Sequence, residues 1–349
     1  MRPRLASALA IGVAGGLVFW WLNWPLAWLL GPMTATTLAA LAKADIAVPG
    51  ALRTPMLAVL GVLLGSGFTP EMVGELRSWL PTLLSLPAYV ALVTLVSALY
   101  LRKVAGFDMR TAFFAGTPGG FGEMVIMGDQ AGGDVRRIAL VHAVRVLFIV
   151  MAVPILVRAM GMDLPAVPQA KAAAGWIDIL GLLAAAALGG WLGQLCRLPA
   201  PALLGGMLVS AVGHALGVLE GAPPVFAIAL AQLVIGCSIG CRFVGFRLHD
   251  VLATMVAGFG LTVVMLAASF VAALGIHLIS DAPPLLLLLA LVPGGVAEMS
   301  VIGLALDVDP AFVAAHHIVR IAIVVAAAPF VFRWLARREQ RNAGPKAGV

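Results

Sequence analysis

Apolar residues run through this chain in twelve blocks, six in each half, divided by short polar or Gly- and Pro-bearing breaks. In the first half they cover about 5–22, 25–42, 52–68, 79–101, 111–131 and 136–157. In the second they cover about 176–195, 201–218, 224–241, 251–276, 284–306 and 311–335. Most are close to the roughly 20 residues that a helix needs to cross a bilayer core. The tryptophans (Trp20, Trp21, Trp24, Trp28, Trp79, Trp176, Trp191 and Trp334) mostly sit at block ends, where an interfacial belt would put them.

One break recurs. Pro118-Gly119-Gly120-Phe121-Gly122-Glu123-Met124 returns 175 positions later as Pro293-Gly294-Gly295-Val296-Ala297-Glu298-Met299. At the same offset Gly61, Gly65, Asp134, His142, Arg145 and Pro154 become Gly236, Gly240, Asp309, His317, Arg320 and Pro329. Leu29-Leu30-Gly31-Pro32-Met33 also echoes Leu203-Leu204-Gly205-Gly206-Met207. The chain therefore reads as a tandem duplication: a first repeat over 1–174, a second over 175–336, and a basic tail over 337–349.

Charge arbitrates the orientation of the repeats. If all twelve blocks cross, the halves run parallel; if each Pro-Gly-Gly block enters and returns on one side, five spans remain per half and the halves are inverted. With the N-terminus inside, and leaving out Arg145 and Arg320 within spans, the crossing arrangement puts 14 Lys/Arg inside and 6 outside. The re-entrant arrangement puts 17 inside and 3 outside (Arg77, Arg158 and Lys171), as the positive-inside rule prefers. The expected fold is an all-α polytopic membrane protein of two inverted repeats, each with five spans and one re-entrant or broken segment, and with both termini cytoplasmic.

Composition supports the membrane reading: 62% of residues are hydrophobic and 11% charged, against about 25% charged in soluble domains. The net charge of +6 comes from Lys and Arg scattered singly at block ends, which excludes a basic nucleic-acid-binding domain. Arg2 and Arg4 precede an apolar run that continues through Phe19-Trp20-Trp21 without a small-residue cleavage site, so it reads as a retained first span. Cys237 and Cys241 lie one turn apart, but no His or acid stands at ligand spacing. No metal or cofactor is expected.

The chemistry gathers at the breaks. Broken helix in a bilayer is tolerated where it is buried in protein or lines a wet cavity, and transporters place their sites at such discontinuities. Glu123 and Glu298 follow the breaks formed by Pro118, Gly119 and Gly120 and by Pro293, Gly294 and Gly295. His142 and Arg145 share a helix face, as do His317 and Arg320. An intramembrane Arg must face a partner: it could clamp an anionic solute, or pair internally with a Glu. His or Glu could carry a coupling proton. Asp134 and Asp309 are placed as helix caps, and Gly61-x-x-x-Gly65 and Gly236-x-x-x-Gly240 as close-packing faces.

The doubled Pro-Gly-Gly-x-x-Glu-Met with its downstream His-x-x-Arg resembles the bacterial membrane AbrB family, from about residue 10 to 336. The resemblance implies an inner-membrane protein and brings two functional labels, ammonia monooxygenase and transcriptional regulator. Neither label follows from the residues. The reading they favour is a secondary transporter of a small anionic solute, coupled to protons or Na⁺, with lipid as its surroundings and a homodimer as a compatible assembly. A membrane sensor affecting gene expression and a metal-dependent membrane oxidase are the alternatives.

Overall fold

The structure, a computed structural model, describes residues 2–68, 77–159, 161, 175–198 and 200–342. Among the described residues it holds fourteen α-helices, seven per half. The first seven are α1 (Arg2–Trp21), α2 (Ala27–Leu41), α3 (Gly50–Gly65), α4 (Leu80–Lys103), α5 (Met109–Gly116), α6 (Phe121–Gln130) and α7 (Val135–Ala159). The second seven are α8 (Trp176–Leu195), α9 (Pro201–Ala215), α10 (Val225–Gly240), α11 (Leu248–His277), α12 (Pro284–Leu291), α13 (Val296–Ala305) and α14 (Pro310–Asn342). α14 carries on through 337–342, and residues 343–349 of the expected tail lie outside the described residues.

Among the described residues, seven helices are long and apolar enough to cross a membrane: α1, α4, α7, α8, α10 with its 3-10 extension to Phe243, α11 and α14. Three expected spans are shorter. α2, α3 and α9 have 15, 16 and 15 residues, or roughly 22–24 Å against a core of ~30 Å. Backbone punctuation explains α2 and α9. Each starts after a left-handed residue, Leu26 or Ala200, and ends before another, Lys43 or Gly217. Their buried faces pack on other helices.

Each Pro-Gly-Gly block splits into two half-length helices. Proline disfavours helical backbone at the residue before it, and Thr117 and Val292 are accordingly extended, with ψ of 130° and 128°. α5 and α6 are then about 12 and 15 Å long. The far end of α6 comes back beside the start of α5, where the Asp134 N–H donates to Thr111 Oγ1 at 2.9 Å. Asp108 caps α5 through the N–H groups of Arg110 and Thr111, both at 3.0 Å. Asp134 and Asp309 cap α7 and α14 as expected, accepting from Arg137 N and from Ala311 N and Phe312 N.

The helices sort into two bundles that cut across the halves. α1–α3 pack with α8–α10, and α4–α7 with α11–α14, while packing between the bundles is sparse. In the first bundle α3 lies on α9 and α10 lies on α2, so each half grips the other. The glycine motifs make this approach feasible: a Cβ at Gly61 would overlap the Leu203 carbonyl oxygen, and one at Gly236 the Leu29 carbonyl oxygen. In the second bundle, Tyr89 of α4 donates to the Leu291 carbonyl at the end of α12 at 2.6 Å, and its hydroxyl lies 2.9 Å from Ser269 Oγ of α11. Trp79 departs from the interfacial expectation. It is buried edge-on against Phe312, whereas Trp21 and Trp176 stay exposed.

Candidate functional site

The two Pro-Gly-Gly turns line one cavity of about 360 Å³ between the bundles. Gly119, Gly120, Gly294, Gly295, Glu123 and Glu298 all reach it, together with Arg145 and Arg320. The glycines leave room for neighbouring side chains, and none of the four takes positive φ. A Cβ on Gly119 would meet Val324 of α14, and one on Gly120 or Gly295 would overlap the carboxylate of Glu123 or Glu298. Each Glu therefore folds back over the N-terminus of its own half-helix, where the helix dipole favours negative charge. Neither N-cap glycine has a side chain to cap that turn.

The His and Arg side chains satisfy the other half-helix of each pair. His142 Nε2 donates to the Phe114 carbonyl at 2.9 Å, and His317 Nε2 to the equivalent Leu289 carbonyl at 3.0 Å. A carbonyl can only accept, so Nε2 carries the proton in both. Arg320 Nη1 donates to Leu291 O and Val292 O at 2.9 and 3.1 Å, and Nη2 reaches Gly294 O at 3.5 Å and His317 Nδ1 at 3.3 Å. It covers the orphan carbonyls at the C-terminus of α12, and holds His317 in one neutral tautomer. Arg145 is looser, with one 3.3 Å bond from Nη1 to Thr117 O, while the buried Nε of both arginines has no partner.

Of the two roles open to these arginines, internal pairing with a Glu is not seen here. Among the described residues neither Arg145 nor Arg320 makes an ion pair with Glu123 or Glu298. Arg145 is 3% exposed, and the charged groups that act on it are Arg320 and Arg242. Sequence reasoning missed Arg242, whose guanidinium lies 4.8 Å from the Phe121 ring centroid, and Arg53; both line the cavity. They lack basic counterparts 175 residues away, at Gly67 and Ile228, and had been read as ordinary block-end charges. His142, His317, Pro118 and Pro293 stand behind the lining. His316 is structural, stacked on Phe312 at 3.9 Å and bonded to Thr82 Oγ1 at 2.8 Å.

The two hairpins are in different surroundings. On α13, Ala297 and Val301 are buried, while the matching Gly122 and Ile126 of α6 are exposed. α13 packs on α3, whereas α6 has at most marginal contact with α10. The α6 side of the cavity is thus more exposed than the α13 side. A larger groove of about 590 Å³ lies at the ends of α4, α7 and α11, but its charges are matched: Arg136 pairs with Asp250 at 3.4 Å and Arg137 with Asp134 at 3.3 Å. No three His, Cys, Asp or Glu side chains converge as a metal site among the described residues.

Helical architecture, seven membrane-length helices and a charged cavity between broken helices define a membrane-type protein with a buried polar site. The family model described as transition state regulatory protein AbrB matches residues 28–336, and the chain belongs to this family. It is 26% identical over 369 residues to "Uncharacterized protein YhjN" of Bacillus subtilis (strain 168), covering 98% of this chain and 95% of the relative. It is also 26% identical over 318 residues to "Putative regulator AbrB" of Escherichia coli (strain K12), covering 89% and 90%. No solved structure matches it significantly.

Proposed function

We propose that this protein is a secondary transporter of a small anionic solute, with its site in the cavity between the two Pro-Gly-Gly turns. The observation that carries the reading is Arg145: a buried guanidinium that lines the cavity with Arg320 and Arg242, makes one 3.3 Å hydrogen bond and, among the described residues, pairs with no carboxylate. An uncompensated buried charge is costly, and an anionic solute would supply the missing partner.

The same reading makes each split block a re-entrant hairpin. It is supported by the return of Asp134 to Thr111 and by half-helices of about half the bilayer thickness. Counting the shorter α2, α3 and α9 as spans, each half has five spans and one hairpin, the repeats are inverted, and the charge distribution favours the α6 hairpin on the cytoplasmic side. The cavity then opens to the cytoplasm. Alternating access exchanges the surroundings of α6 and α13 as the bundles rock against each other. In the other state α6 closes on α10 and the lining of the opposite mouth becomes wet. Glu123 and Glu298 are the carboxylates placed to take a coupling proton or Na⁺. His317 is not, because both of its ring nitrogens are engaged.

The test is transport in proteoliposomes, read as currents or uptake with acetate, succinate, sulfate and phosphate. Wild-type protein should move at least one of these. Glu123→Gln and Arg145→Ala should insert normally and abolish the signal. Undiminished rates in both variants would overturn the site.

The name of the Escherichia coli relative favours a second reading, in which occupancy of the same cavity is sensed and passed to a regulatory partner. Solute binding without transport, together with a specific protein recovered by crosslinking in the membrane, would support that reading over transport.

A further inference from the structure

We infer that Arg53 and Arg242 form a second anion-binding subsite at the mouth of the cavity, so that the solute is a small dianion with separated charges, of the dicarboxylate class. This rests on the anion-transport reading and adds the kind of anion and the place of its second charge.

The two arginines belong to the first bundle, at the start of α3 and just past the end of α10, whereas Arg145 and Arg320 belong to the second. Arg53 is exposed and, among the described residues, forms no hydrogen bond or ion pair. The charges acting on Arg242 are Glu298 and Arg53, and its guanidinium lies over Phe121, the first residue of α6. Among the described residues no acid forms an ion pair with either arginine. Arginines brought together at the mouth of a cavity in which they outnumber the carboxylates raise the local concentration of anions.

Deep in the cavity the available donors differ. The Nη groups of Arg320 are taken up by the carbonyls at the end of α12, so Arg145 is left to hold the inner charge. Arg53 and Arg242 across the bundle interface hold the outer one. A solute bridging them ties the bundles together, as a transported ligand must if its occupancy is to bias their movement. Four Arg and two Glu line the cavity, and a dianion cancels the excess. The volume of about 360 Å³ has room for about a dozen groups of water size at roughly 30 Å³ each, enough for a four-carbon dicarboxylate.

The counterparts Ile228 and Gly67 carry no charge, so the subsite exists at one mouth only. Solute held in the state open on the Arg53 side meets two guanidinium groups that it loses when the cavity opens on the other.

The experiment is thermal stabilisation of the purified full-length chain in lipid nanodiscs by succinate, acetate and sulfate. Succinate should act at concentrations about tenfold or more below acetate, and below sulfate, as expected when a second charge-assisted contact is made. Arg53→Gln and Arg242→Gln should each weaken succinate about tenfold and acetate by a much smaller factor. Arg53 lies at an exposed helix end, so its variant keeps the test usable if Arg242→Gln folds poorly. Equal potency of acetate and succinate, stronger action of sulfate, or unchanged succinate potency in the Arg53 variant would each overturn the subsite while leaving the anion site standing. Stabilisation by none of the three would overturn the transport reading itself.

Discussion

Gln232 lies at the middle of α10 with no solvent exposure, and neither its amide oxygen nor its nitrogen has a hydrogen-bond partner. Its counterpart 175 residues earlier is Leu57, which lines the open cavity. If the bundles exchange states, Gln232 takes the wet position that Leu57 now holds and its amide is solvated there. Burying an unpartnered amide costs about 1–3 kcal/mol on mutational scales, so Gln232 penalises the present state by that amount. Gln232→Leu removes the penalty and shifts the equilibrium toward the present state by about 5–150-fold. The assay is alkylation of Ile228→Cys by a membrane-impermeant thiol reagent in a background free of Cys196, Cys237 and Cys241. Ile228 is buried here and matches Arg53 at the mouth, so it becomes reactive when the opposite mouth opens. Gln232→Leu should slow its labelling by that factor and raise the thermal midpoint. Unchanged or faster labelling would refute the reasoning.

Further outcomes separate structure from function. Arg320→Ala should unfold or severely destabilise the protein, by about 3 kcal/mol or more, because it orphans several buried carbonyls; Arg145→Ala, which loses one 3.3 Å bond, should fold and lose solute binding, as thermal melts with and without anions would show. Gly61→Val should cost at least about 1–3 kcal/mol, since its Cβ would overlap the Leu203 carbonyl oxygen, and should lower the melting temperature far more than Gly50→Ala, which has open space around it. Asp108→Ala should cost about 1 kcal/mol by uncapping α5. Burial alone would raise this carboxyl, but hydrogen bonds from the Thr111 side chain and the N–H groups of Thr111 and Arg110 outweigh it and hold it below its usual value. Its contribution is then complete above the ordinary Asp range of about 3.9 and fades as pH falls through the lowered value, so variant and wild-type melts should converge in acid.

The sequence made the shared part of the architecture legible. A fixed offset is the ground for the duplication, and the helix break after Thr117 and Val292 followed from proline sterics alone. Capping by Asp134 and Asp309 was likewise a local matter. What stayed hidden is what differs between the halves or depends on backbone partners. Arg53, Arg242 and Gln232 have unlike counterparts, so the repeat offered no signal for them. The partners of Arg320 are carbonyl oxygens, which every residue carries, and no pattern in the side chains announces them. Tyr89 left a faint sign, a hydroxyl inside an apolar block that needs a partner. Shortening of α2 and α9 turned on left-handed residues at their ends, three of them the non-glycine residues Leu26, Lys43 and Ala200. The greater exposure on the α6 side is a property of one conformation and has no counterpart in the order of residues.

The account depends on the two hairpins coming in from opposite faces and meeting around one cavity. Ala131 and Leu306 are equivalent residues at the far ends of α6 and α13, and single cysteines placed there in a cysteine-free background report the face directly. In intact cells a membrane-impermeant thiol reagent should modify Leu306→Cys and spare Ala131→Cys, and inverted membrane vesicles should reverse the result. Labelling of both positions from the same face would contradict the inverted arrangement and the transport site built on it.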